Sequence, residues 1–127
     1  MRKPKIYLET TVFNFYFEPE RDLHTDTIRL FDEIKSGRYE AYSSIYVTDE
    51  LTKADEPKRS KMLNLIAEYS ITVIPADDEA DRLANMYVNE SVIPLKYRAD
   101  SLHIAIATIN DLEYVFSLKF QHIKNKN

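Results

Sequence analysis

Four short apolar runs alternate with longer segments of helical spacing along the chain. Lys5-Ile6-Tyr7-Leu8 is β-rich and stops at Glu9-Thr10-Thr11. Tyr39 to Ser43 alternates in part, Ile71-Thr72-Val73-Ile74 is β-branched and closed by Pro75, and Glu113 to Ser117 is the last such run. Each predicts a strand. Between them Val12 to Phe17 predicts a short helix. Asp22 to Ser36 carries Leu23, Ile28, Leu30, Phe31 and Ile34 as a helical stripe, with Gly37 behind it as a C-terminal cap. A further helix is predicted from about Ser44 through Val47, Glu50 and Leu51. Pro57 opens the next, which carries Met62, Leu63, Leu65, Ile66 and Tyr69. Asp77 to Glu90 has acids in its first turn, where the helix dipole favours them. Asp100 to Asn110 is apolar nearly all round, the mark of a buried helix. A short turn is predicted from Lys119 to Lys124.

Strands alternating with helices predict an α/β fold of three layers, α/β/α, around a central, mainly parallel sheet of about four strands. With no repeat and no linker, residues 1–127 read as one domain. In such sheets reactive groups gather at the carboxyl ends of the strands. That rule is what gives the acids their meaning.

Composition narrows the chemistry. The 127 residues include no cysteine, so disulfides, thiolate metal sites and a cysteine nucleophile are excluded. A single glycine, Gly37, excludes the glycine-rich phosphate loops. Any phosphate chemistry must come from side chains and metal ions. A net charge of −4 argues against holding nucleic acid by bulk positive charge. No apolar stretch approaches a membrane span, and Glu9, Glu18 and Glu20 interrupt any leader-like start, so the expected location is cytoplasmic.

Glu9 closes the first strand, Asp100 opens the buried helix, and Glu50 lies in the helix after the second strand. Gathered at one mouth of the sheet, three carboxylates repel unless a cation sits among them. Hard oxygen donors without cysteine select Mg²⁺ or Mn²⁺, which bind phosphate oxygens and acidify a bound water. Thr10 and Thr11 stand beside Glu9, ready to hold a water or phosphate. Each residue also has a plainer reading: Asp100 as a helix cap, Glu50 as a solvated acid, His103 as a hydrogen-bonded core residue behind Asp100. Lys53, Lys58, Arg59 and Lys61 are either a solvated face or a contact for an RNA backbone. Tyr7, Tyr16, Tyr46 and Tyr97 are candidates to flank a nucleic-acid channel.

Ile6-Tyr7-Leu8-Glu9-Thr10-Thr11-Val12-Phe13-Asn14 resembles the opening strand and turn of PIN domains. Tyr46-Val47-Thr48-Asp49-Glu50-Leu51 resembles the helix of that family's second acid. The segment from Tyr97 to Thr108, with Ala99-Asp100-Ser101-Leu102-His103, resembles its Asp-Ala-x-His helix. Val115-Phe116-Ser117-Leu118-Lys119-Phe120-Gln121-His122-Ile123 is similar to the closing strand and turn. The resemblance implies a Mg²⁺- or Mn²⁺-dependent ribonuclease with Glu9, Glu50 and Asp100 as catalytic and metal-binding acids. Thr10, Thr11, His103 and Lys119 would stand behind them. It also implies an RNA substrate, a VapC-like toxin's antitoxin partner, and a homodimer.

Two departures stand out. Glu9 replaces the family's aspartate and carries its carboxylate about 1.5 Å further, against the near-octahedral demand of Mg²⁺. Lys119 replaces an acidic or amide position, where an ammonium would offset the acids in place of a second ion. A catalytically degenerate domain that binds RNA or an antitoxin is therefore the alternative. A receiver-like phosphoacceptor domain, with acids and a lysine after the last strand, is a third. PIN domains of this type also continue to a further helix and edge strand, so the usual C-terminal strand is expected to be missing.

Overall fold

Ile6, Tyr7 and Leu8 are fully buried, because the strand they form lies inside a parallel sheet covered on both faces. The computed structural model describes residues 2–90 and 98–118. In chain order these form β1 (Lys5–Leu8), α1 (Thr10–Tyr16), α2 (His24–Lys35), β2 (Glu40–Ser44), α3 (Ile45–Leu51) and α4 (Lys58–Glu68). Then follow β3 (Thr72–Ile74), α5 (Asp78–Asn89), α6 (Arg98–Ile109) and β4 (Tyr114–Phe116).

The sheet has the order β3-β2-β1-β4, and every pairing is parallel. Tyr7 is in register with Tyr42 on one side and Val115 on the other. Stepping from β1 to β2 to β3 and then back past β1 to β4 reverses the direction of travel. Right-handed crossovers therefore put the first four helices on one face and α5 and α6 on the other. The packing agrees: α1 touches α2, α3 and α4, while α5 packs along α6. The result is the three-layer α/β/α architecture that the alternation predicts.

This order also removes the receiver-like reading. Receivers and their relatives use the order 2-1-3-4-5, with β3 beside β1. Here β3 lies beyond β2, and β4 takes the place beside β1.

Local signals set the helix ends. The Ser44 side chain accepts from the Val47 N–H to cap α3, and Asp77 accepts from the Glu79 N–H to cap α5. Gly37 follows α2 at φ +87°, with its N–H bonded to the Ile34 carbonyl, as a C-terminal cap requires. Helix α2 starts at His24, two residues later than its stripe suggests, because Leu23 adopts a left-handed conformation. Helix α6 starts two residues earlier than expected, at Arg98. Asp100 thus stands inside the first turn and is not the cap. Among the described residues no strand follows β4. The turn predicted from Lys119 to Lys124, and with it the question of a C-terminal strand, lies outside them. No helix of the described residues is long and apolar enough to cross a membrane.

On the α1–α4 side the core is organised by Phe31. Its ring lies 4.9 Å from Tyr69, 5.0 Å from Tyr16 and 6.1 Å from Phe13, all edge-to-face. Such pairs add to the burial of the rings themselves. Phe31 is fully buried, so Phe31→Ala should cost about 3–5 kcal/mol, a large share of the stability of a domain this size. Urea unfolding monitored by circular dichroism measures it.

Candidate functional site

In open α/β sheets the ligand crevice lies outside the carboxyl ends of the strands, where the strand order reverses. Here the reversal falls between β1 and β4. The residue that follows β1 is Glu9, and the residue that follows β4 is Ser117.

Glu9 is only 1% exposed. A carboxylate in that position needs donors, and the local chain supplies them. Its Oε1 accepts from the Thr11 N–H at 3.1 Å, the Thr11 hydroxyl at 2.6 Å and the Ser117 hydroxyl at 2.9 Å. The first of these bonds is also the N-cap of α1. Thr11 Oγ1 accepts in turn from the Leu118 N–H at 2.8 Å, which ties the segment after β4 to the start of α1. Thr11 therefore holds the carboxylate in a fixed direction. Thr10 is buried beside it, and its hydroxyl has no hydrogen-bond partner among the described residues. Ser117 was not singled out from the sequence. The sequence offered only its place at the end of the last β-rich run; the pairing of Leu8 with Phe116 is what brings it level with Glu9.

Beneath Glu9 lies a buried polar group of a second kind. The Tyr7 hydroxyl is 2.7 Å from Ser44 Oγ and 2.6 Å from His103 Nδ1. Burial pushes the Tyr7 hydroxyl well above its ordinary range. The Ser44 hydrogen bond opposes this, and the nearby carboxylates of Glu9 and Glu50 add to it. Tyr7 is thus a core residue, not part of a nucleic-acid channel. Tyr16 and Tyr46 are half-buried, and Tyr97 lies outside the described residues. His103 is the hydrogen-bonded core histidine of its plainer reading.

Asp100 is 7% exposed, one helical turn before His103. Glu50 is exposed on α3, yet close enough to act on the Tyr7 hydroxyl. So one hydroxyl is linked with all three elements that carry or precede the candidate acids. Carboxylate oxygens are the donors that Mg²⁺ and Mn²⁺ prefer, and Mg²⁺ is commonly held by one or two of them with water completing the shell. Among the described residues no three His, Asp or Glu side chains gather closely enough to hold a metal ion. The two buried acids, Glu9 and Asp100, fit such an ion in donor chemistry. Lys119 lies outside the described residues.

Comparison with solved structures identifies the architecture. The Mycobacterium tuberculosis VapC20 crystal structure, described as a sarcin-ricin loop cleaving toxin, superposes with a TM-score of 0.67. The match covers 93% of this chain and 94% of that one, at 12% sequence identity. The fold is that of VapC-like PIN domains. No family model matches the chain, and no curated protein matches it by sequence. The PIN fold is therefore carried by topology and burial while most side chains differ.

The basic cluster is only partly available on this PIN fold. Lys58 Nζ donates to Glu18 Oε2 at 2.7 Å, and Arg59 lies 3.5 Å from Glu56. Lys53 and Lys61 are exposed. The Lys58 hydrogen bond, with help from Arg21, holds the Glu18 carboxyl below its ordinary range.

Two outcomes follow from these contacts. Thr11→Val deletes one bond to a buried carboxylate and another to the Leu118 amide, and should cost about 2 kcal/mol in chemical denaturation. The Glu18 pair contributes stability above the unfolded carboxyl's value and loses it as pH falls through the lower folded value. Stability should therefore drop as acid is added below about pH 4.5. Glu18→Gln should flatten that limb when melting temperature is followed against pH.

Proposed function

We propose that this protein is a metal-dependent endoribonuclease of the VapC-like toxin type, hydrolysing RNA phosphodiester bonds. The observation that carries the reading is a pair of buried acids, Glu9 and Asp100, at the ligand-binding end of a PIN-type sheet. A carboxylate buried at the reversal point of the strands adds little to folding that an apolar residue would not add better. Its retention there is understandable as chemistry. Glu9 and Asp100 would hold a Mg²⁺ or Mn²⁺ ion, with Glu50 contributing from the rim. When bound, such an ion neutralises a phosphate and acidifies a water.

The chain's own residues orient and exclude. Thr11 and Ser117 aim Glu9, and the Thr10 hydroxyl offers an unused donor to a water or phosphate oxygen. Lys53 and Lys61 on the neighbouring surface suit the RNA backbone, as Lys58 does if it releases Glu18. An antitoxin partner, homodimer assembly and a cytoplasmic location belong to the same reading, by likeness to VapC-type proteins.

A second reading has its own support. The exposure of Glu50, and the lack of a three-donor group among the described residues, favour a degenerate PIN domain that binds RNA or an antitoxin without cutting. One experiment separates the two. Single-stranded RNA incubated with protein and Mn²⁺ should be cleaved, and Asp100→Asn should abolish the cleavage. RNA retained on the protein but left intact by both forms would establish the degenerate domain instead.

A further inference from the structure

Tyr7, Ser44 and His103 form a buried polar cluster whose members are 0%, 0% and 4% exposed and come from three separate elements. A phenylalanine, an alanine and a leucine would fill the same space with no polar groups to satisfy, so the cluster is not required for packing. Its hydrogen bonds form a continuous chain, from Ser44 Oγ to the Tyr7 hydroxyl to His103 Nδ1. Ser44 Oγ also accepts from the Val47 N–H at 3.4 Å, which anchors the start of α3.

Spacing then relates this chain to the acids. Tyr7 and Glu9 are two residues apart, and Glu9 keeps extended backbone angles (φ −85°, ψ 164°), so both side chains leave the same face. Asp100 and His103 are three apart on α6, one above the other on one helix face. Joining Tyr7 to His103 therefore joins the face that bears Glu9 to the face that bears Asp100.

We propose that the Tyr7 hydroxyl is a positioning group: through His103 it fixes the first turns of α6 over the end of β1, and so sets where Asp100 stands relative to Glu9. Ser44 orients that hydroxyl from the opposite side. This rests on the reading of Glu9 and Asp100 as the working acids.

The test compares wild type with Tyr7→Phe, His103→Leu and His103→Asn. Tyr7→Phe keeps the ring and its packing. His103→Asn keeps a polar atom near the Nδ1 position, and His103→Leu does not. Amide hydrogen exchange is followed element by element, and Mn²⁺ affinity is measured by calorimetry on the same proteins. Tyr7→Phe and His103→Leu should speed exchange about tenfold across residues 100–106 while leaving the amides of α2 and α4 unchanged. Mn²⁺ affinity should fall at least tenfold with them. His103→Asn should recover both properties in large part.

Unchanged protection of α6 in Tyr7→Phe overturns the proposal. So does a loss spread evenly over every helix, or a His103→Asn protein no better than His103→Leu. A wild type that binds no Mn²⁺, together with α6 loosened as expected, overturns the metal-dependent reading and leaves the positioning role standing.

Discussion

A carboxylate that is 1% exposed has few ways to persist in a folded protein, and the burial of Glu9 sets terms for everything around it. Its donors come from the chain. Thr11 supplies two from the first turn of α1, and Ser117 supplies a third from the end of β4. The Glu9 N–H itself is bonded to the Phe116 carbonyl at 3.0 Å, which keeps β4 beside β1 up to the point where both strands end. Moving β4 by one register step would take Ser117 away and leave the acid short of donors. The site and the edge of the sheet are thus stabilised by the same bonds.

Strand order does the rest. Because β4 returns to the far side of β1, two neighbouring strands release the chain in opposite directions and open a crevice between them. Helices α3 and α6 come from different layers, yet both reach that end. Tyr7 makes their meeting specific, since its hydroxyl has partners at the start of α3 and in the second turn of α6. Polar contacts of this kind contribute little net stability when all are satisfied, but cost a great deal when one is lost. They favour one arrangement of the elements over near alternatives with equal apolar burial.

The elements themselves were legible because their signals are local. Period-two and helical spacing, Gly37, Pro57 and the acids from Asp77 onward act within a few residues of where they stand. Boundaries moved by a residue or two, at α2 because Leu23 before it takes a left-handed conformation. The acids Glu9 and Asp100 were legible as candidates because Glu9 closes the first apolar run and Asp100 opens the last apolar helical one. Their supports were not. Ser117 and Glu9 lie 108 residues apart, and His103 and Tyr7 lie 96 apart, so no spacing rule connects them. Glu50 shows the reverse case, a residue with a plausible position in sequence that the fold leaves on the surface.

By itself the sequence determined the fold class, the alternation of strand and helix, and the kind of chemistry open to the chain. With no cysteine and one glycine, oxygen donors on side chains are the means left for phosphate chemistry. Only the tertiary structure decided that β4 lies beside β1, that Glu9 and Asp100 are buried while Glu50 is not, and that Tyr7 is a core residue with two polar partners. The reason is physical. Burial and hydrogen bonding depend on which distant segments pack together, and that is settled by the sheet's order and not by any stretch of neighbouring residues.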